Sequence, residues 1–379
     1  MKFKITVFFL FSLFFSLSTF SQSLITGSFV YQSINRTYLL YVPAIYNPSI
    51  AVPLVMNFHG YSSNSTQQMV YGEFRPIADT ANFIIVCPNG TLDPNNFQYW
   101  NNFNAPGGPD DIGFASALID TIEAHYNIDH NCIYSTGMSN GGFMSYDLAY
   151  LLSNRIAAIA SVTGDMIYSH INACHPIHPT PVMQIHGTND ATVLFSGDAN
   201  FEPIDSLVNF WVQFNHCNPV PSFTNLPNIN LADSCTAEHY VYSGGDSSAT
   251  VEFYKIIGGG HSWPGALVNI NITNMDFNAS VEIWRFFRKY KLNQLSNGIH
   301  PEQAEIKIPI YPNPSNGNFI LIFKDDAKRT ITITDGLGQI VQTLSCSSKE
   351  ENIYIENTGI YFITILQDNK TWTQKIMRN

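Results

Sequence analysis

Between Cys132 and Leu152 the chain reads CIYSTGMSNGGFMSYDLAYLL. A short apolar run leads into Gly137, Ser139, Gly141 and Gly142, and a helix-forming stretch follows. Strand, glycine-bounded serine and helix, in that order, are the setting in which a G-x-S-x-G serine is raised above a sheet. The glycines permit the tight turn, and Gly141-Gly142 let the helix pack against neighbouring strands. On this reading Asn140 matters for its backbone N–H rather than for its side chain. Ser139 would sit at a helix N-terminus, where the helix dipole favours developing negative charge. A glycine-rich connection without chemistry has the same composition, so the serine needs partners. A hydroxyl becomes a nucleophile when an imidazole takes its proton, and that imidazole must be oriented by a third group.

The partners come later in the chain and in order. VMQIHGTNDATV (Val182–Val193) ends a buried run and leaves Asp190 in the loop beyond it. KIIGGGHSWPG (Lys255–Gly265) puts His261 in a glycine-rich loop after the last apolar run. Alone, Asp190 reads as a turn residue and His261 as a loop histidine. Ser139, Asp190, His261 is the chain order that a nucleophile elbow requires. MNFHGYSSN (Met56–Asn64) ends another run, and the backbone after His59-Gly60 can turn an amide toward the serine. One oxyanion donor is therefore assigned to the Tyr61 amide and the other to that of Asn140. His59 lies beside the substrate site and reads as fixing its loop. His186 reads as a packing residue near the site.

The apolar runs VPLVMNFHG, FIIVCPNG, CIYSTG and TPVMQIHG are nearly continuous and end in glycine, as strands buried on both faces do. Helical patterns lie between them, at Asp110–Tyr126, Gly141–Leu152 and Pro203–Asn215, with a last one at Ser280–Tyr290. GSFVYQSINRTYLLYVPAIY alternates and predicts an antiparallel hairpin turning at SIN. The sum is an α/β fold: a mostly parallel central sheet, led by an antiparallel edge and flanked by helices. Active residues of such sheets sit beyond the carboxyl ends of the strands. Asp110 and Asp111 predict capping of the following helix.

At the N-terminus, Lys2 and Lys4 precede a Phe-rich core too short for a membrane span, and Thr19-Phe20-Ser21 closes it. Residues 1–21 read as a signal peptide. No later segment predicts a transmembrane helix. Export permits disulfides among the six cysteines, and Cys217 and Cys235, flanking a Pro/Asn-rich stretch, are the first pair expected. No Cys/His spacing suggests a metal site, and no cofactor is implied. The net charge of −11 excludes the basic surface a nucleic-acid partner needs. The stretch at 294–309 has no periodicity and reads as a linker from a catalytic domain (22–293) to residues 310–379. Those last residues form short alternating strands between Gly/Asn/Asp turns, the pattern of a small all-β sandwich.

FHGYSSN, PDDIGF, GMSNGGFMSYDLA, IHGTNDATV and GGGHSWPG together resemble the secreted α/β-hydrolases of the polyhydroxybutyrate depolymerase and feruloyl or acetylxylan esterase group, over Gly27–Tyr290. The resemblance implies a serine esterase whose triad maps onto Ser139, Asp190 and His261. Its substrate would be a polyester or a feruloyl or acetyl ester of plant polysaccharide. Trp263 and Trp100 are placed at the substrate cleft, with loop anchoring as the other reading of each. YPNPSNGNF, DGLGQIV and TGIYFITI…KIMRN resemble the type A sorting domain of the type IX secretion system. That implies the secretion machinery as a partner and a secreted or cell-surface location. A sugar-binding module would instead need exposed aromatics, and the tail offers Tyr354, Tyr361 and Trp372. Two rival functions stay open: a serine peptidase on the same scaffold, and an inactive surface protein that binds glycans.

Overall fold

A computed structural model describes residues 22–102, 107–295, 309–335, 339–367 and 370–379. The expected signal peptide and most of the expected linker lie outside the described residues. The chain divides into two compact units, at Gly298/Ile299.

In the first unit, β1 (Ser23–Tyr31) and β2 (Ile34–Val42) form the leading hairpin, and Gln32 and Ser33 turn it with positive φ. The turn thus falls one residue before the SIN expected, because two consecutive left-handed residues match the twist of the strands. The strands β3 (Val52–Phe58) and β4 (Ile84–Pro88) follow, then a two-residue ribbon of β5 (Thr91–Leu92) and β6 (Gln98–Tyr99). Next come β7 (Ile128–Met138), β8 (Ala158–Val162), β9 (Val182–Gly187), β10 (Ser222–Asn225), β11 (Thr236–Tyr242) and β12 (Val251–Ile257). Ten of them make one sheet in the order β1-β2-β4-β3-β7-β8-β9-β12-β11-β10. From β4 to β12 the pairings are parallel, and both flanks are antiparallel. Among the described residues eight α-helices accompany it: α1 (Ser65–Tyr71), α2 (Arg75–Ala81), α3 (Asp111–Glu123), α4 (Asn140–Leu151), α5 (Tyr168–Ala173), α6 (Ile204–Phe214), α7 (Ala279–Phe287) and α8 (Leu292–Leu295). This is the α/β-hydrolase architecture that the motifs imply.

Alternate strand residues feed two separate cores. Leu54, Met56, Phe58, Ile84 and Val86 join one, while Val55, Ile85, Cys87, Leu39 and Tyr41 join the other. That alternation explains why the cysteine pair expected from sequence does not form. Cys217 belongs to the first core and Cys235 to the second, so the sheet lies between them. Both thiols are free, and Cys217 Sγ lies 3.5 Å from the Ala249 carbonyl instead. Asp110 caps α3 as expected, accepting the Gly113 N–H. Asp111 does something else: it is buried in an ion pair with Arg36 at 2.6 Å.

The strand order reverses beside β3, since the chain passes to β4 on one side and later to β7 on the other. A crevice opens at such a switch point, at the carboxyl ends of the strands. There Phe58 of β3 is in register with Gly137 of β7, so the segments bearing His59-Gly60-Tyr61 and Met138-Ser139-Asn140 emerge side by side.

The second unit is all β. One sheet has β13 (Ile310–Tyr311), β14 (Asn318–Ile322) and β17 (Glu350–Tyr354). The other has β16 (Ile340–Cys346), β15 (Arg329–Asp335), β18 (Gly359–Gln367) and β19 (Lys370–Arg378), in that order. Phe319, Leu321 and Ile353 of the first sheet share one core with Ile331, Ile333, Ile363 and Ile365 of the second. This is a small sandwich. Tyr361 is not a binding aromatic: it is buried, and its hydroxyl donates to the Asn357 carbonyl.

Candidate active site

Ser139 adopts φ 54° and ψ −121°, a strained conformation between β7 and α4. Its own N–H donates to the Val162 carbonyl of β8, and its carbonyl accepts from Gly142 and Phe143 at the start of α4. Two close approaches explain the glycines that follow. A Cβ on Gly141 would lie 2.1 Å from the Phe58 carbonyl oxygen, and one on Gly142 would lie 2.6 Å from Ser161 Oγ. Helix α4 can reach the sheet because neither residue carries a side chain.

Asp190 and His261 come together although 71 residues separate them, with His261 Nδ1 donating to Asp190 Oδ2 at 2.7 Å. The other carboxylate oxygen accepts the Thr192 and Val193 amides, at 2.8 and 2.9 Å. Burial pushes the Asp190 carboxyl up, but the His261 hydrogen bond and charge, with His186 and the Val193 amide, outweigh it and hold it below the usual range. The carboxylate is therefore ionised and occupied on both oxygens. With Nδ1 donating, His261 Nε2 is left as the basic nitrogen.

His186 is fully buried, and burial lowers its pKa to about 4. It is a neutral imidazole. Its Nε2–H donates to the Val193 carbonyl at 2.8 Å, which steadies the loop carrying Asp190.

Ser139 and His261 both line a cavity of about 670 Å³. Gly60, Tyr61, Tyr71, Met138, Val268 and Ile270 are also in its lining. Among the described residues, neither the Tyr61 amide nor the Asn140 amide has a hydrogen-bond acceptor. Unpaired amides on the two segments beside the serine are donors available to a ligand oxygen. Tyr61 is half exposed at the rim, its hydroxyl held by Asp93 at 2.7 Å and its ring 5.7 Å from that of Phe97.

Three residues expected at the substrate site lie elsewhere than in the cavity lining. Trp100, Trp263 and His59 are buried and absent from the cavity lining. The Trp100 indole N–H donates to the His59 carbonyl at 2.8 Å. The Trp263 amide donates to Tyr71 Oη at 3.0 Å, and its indole reaches Ser280 Oγ. His59 Nε2 accepts the Gly90 N–H and its Nδ1–H donates to the Gly60 carbonyl. Burial lowers its pKa to about 4, so it too is neutral. The physical reason is shared: each ring has a polar edge that a backbone or hydroxyl group satisfies inside the protein. The wall residues Tyr71, Val268 and Ile270 were missed, because no motif marks them. The Asn140 side chain makes hydrogen bonds to Trp100 and Asn102.

Residues 109–218 match the family described as Phospholipase/Carboxylesterase, and residues 309–379 match the Secretion system C-terminal sorting domain. A bifunctional acetylxylan esterase/xylanase of Neocallimastix patriciarum is 27% identical over 232 residues, covering 61% of this chain and 31% of that protein. A probable feruloyl esterase C of Aspergillus clavatus is 31% identical over 191 residues, 48% of this chain and 62% of that protein. Among solved structures, an acetyl xylan esterase from Aspergillus awamori aligns with a TM-score of 0.48 at 15% identity, covering 71% of this chain and 99% of that one. The chain spans less than two thirds of the length of the curated relatives it matches. The resemblance to feruloyl and acetylxylan esterases, and that of the tail to a sorting domain, is borne out.

Proposed function

We propose that the first unit is a serine carboxylic-ester hydrolase. The observation that carries this is the strained Ser139 sharing one cavity with His261, whose other nitrogen is tied to a buried, ionised Asp190. His261 takes the Ser139 proton as the hydroxyl oxygen attacks the ester carbonyl. The Tyr61 and Asn140 amides hold the oxyanion. His261 then gives its proton to the departing alcohol, and water cleaves the acyl-enzyme by the same steps in reverse order. Asp190 keeps His261 in the tautomer that this requires.

The acyl group we assign is a bulky aromatic one, a feruloyl-type ester of plant polysaccharide. A cavity of about 670 Å³ far exceeds an acetyl group, and Tyr61, Tyr71, Met138 and Ile270 offer aromatic and apolar contact to a ring. Similarity to proteins named feruloyl esterases supports the same assignment. Hydroxybutyrate polyester and acetylated xylan are the competing substrates. Turnover of methyl ferulate, acetylated xylan and a hydroxybutyrate oligomer by one preparation tests the assignment, and preference for either of the last two overturns it. A fluorophosphonate probe that labels Ser139 supports the nucleophile, whereas absence of labelling points to an inactive binding protein. Cleavage of peptides faster than esters would revive the peptidase reading.

For location, we propose export through a signal peptide at residues 1–21 and then through the type IX machinery, with residues 309–379 as the sorting signal.

A further inference from the structure

A short segment, residues 98–102, joins the two sides of the oxyanion site. Toward the Tyr61 side, the Gln98 carbonyl accepts the Ser62 N–H at 2.9 Å, and the Trp100 indole donates to the His59 carbonyl. Toward the Ser139 side, the side chain of Asn140 grips Trp100 at both backbone groups. Asn140 Oδ1 accepts the Trp100 N–H at 2.6 Å, and Asn140 Nδ2 donates to the Trp100 carbonyl at 3.1 Å. The second Nδ2 hydrogen goes to Asn102 Oδ1. Both donors of the amide and its acceptor are thus engaged.

The network continues behind Asn102. Its Nδ2 donates to Asp147 Oδ2 at 3.0 Å, and His170 Nδ1 lies 2.7 Å from Asp147 Oδ1. Asn102, Asp147 and His170 are all buried. The segment is also held from the side, since the Asn101 N–H donates to Asp111 Oδ2, whose partner oxygen is ion-paired with Arg36. A surface serine turn needs no such support. A pair of amides that must both reach one oxygen needs a fixed separation, because hydrogen bonds weaken steeply with distance and angle.

The geometry points to the side chain of Asn140 as a positioning residue. Through Trp100 and the His59 carbonyl it sets the separation of the Tyr61 and Asn140 amides, so that both meet the oxyanion. This rests on the proposed role of those amides and goes beyond it, because it assigns a function to a side chain that never touches substrate. Trp100 is the second member of the device, acting through its indole N–H while its ring packs edge-on against Phe58 at 5.1 Å.

The test uses the full chain and three readouts: kcat and KM on methyl ferulate, and the inhibition constant of phenylboronic acid, whose tetrahedral adduct on the serine places an oxygen at the oxyanion site. For Asn140→Ala we expect kcat to fall about 10²-fold, the size of losing one oxyanion donor. KM should stay within about threefold, and phenylboronic acid should weaken by the same factor as kcat. Trp100→Phe keeps a ring against Phe58 and removes the indole donor, and should lower kcat and boronate affinity together by about tenfold. Should Asn140→Ala fail to fold by circular dichroism, Trp100→Phe decides alone. Parent-like kcat in either folded variant overturns the proposal, as does a kcat loss without a matching loss of boronate affinity. Ser139→Ala separates the two levels. If it stays active, the esterase scheme itself fails; if it is inactive while both other variants match the parent, only the positioning role fails.

Discussion

The two units differ in where they leave structure unsatisfied. Among the described residues, every non-glycine residue with positive φ falls in the first unit, and so does every buried side-chain polar atom without a hydrogen-bond partner. Several gather near the serine turn, including Ser139 and Thr163 in backbone conformation and Ser161, Thr163 and Asp165 in unpaired polar atoms. The sandwich of the second unit keeps its buried charge answered. Arg329 is buried yet bonded to Asp325, Gln367 and the Ser348 carbonyl, with its guanidinium 4.0 Å from the Phe323 ring centre. Strain and unpaired polarity cost stability, and they persist where surrounding structure over-determines them, as active sites do. Strain and unpaired polarity thus gather beside the proposed active site, and the sandwich shows neither among its described residues.

The largest break in that comparison would come from Ser139→Ala, which should lower kcat on p-nitrophenyl acetate by roughly four to six decades; near-normal turnover would remove the chemistry from the first unit. Asp190→Asn should cost about 10⁴-fold in kcat, through loss of the tautomer that Asp190 imposes on His261. A drop below tenfold would mean that another group orients the imidazole.

Stability effects come next. Arg36→Ala strips the buried Asp111 of its partner and should cost about 3–5 kcal/mol in urea unfolding. A cost below about 1 kcal/mol would show that burial of the pair is not what holds the 98–102 segment.

Asp165 sharpens the comparison through pH. It is buried, its Oδ2 has no partner, and burial pushes its carboxyl up to about 8. Below about pH 4 folded and unfolded chains both hold this proton, and the group has no effect. From there to about pH 8 only the unfolded chain ionises, so the group's contribution to stability falls as pH rises, and above that it is flat. Asp165→Asn removes the titration. Its gain over the parent should grow between pH 5 and pH 8, reaching on the order of 1–3 kcal/mol. An equal gain at both values would refute the shift. The smallest effect is expected from removing residues 309–379, which should leave kcat/KM of the first unit within about twofold.

Much of the site was legible because its residues are tied to local backbone constraints. A serine between glycines at the end of an apolar run announces a turn, and His261 after three glycines announces a loop at the end of a strand. Asp190 needed its place in the order. The rim was not legible. Trp100 and Trp263 have the composition of sugar-stacking residues, yet each found a buried acceptor across the fold. Proximity along the chain suggested Cys217–Cys235, and the two residues lie on opposite faces of one sheet.

The parallel sheet, the turn at Ser139 and the order of the three polar residues could be read from the chain alone, because apolar periodicity and glycine spacing act over a few residues at a time. Tertiary structure alone decided that His261 meets Asp190 across 71 residues, that Trp100 faces inward, and that the Asn140 amide reaches 40 residues back to hold it. The first contact joins the loops after the neighbouring strands β9 and β12, and the others join the segment after β6 to the turn after β7; a hydrogen bond is set by distance in space, which no spacing along a chain encodes.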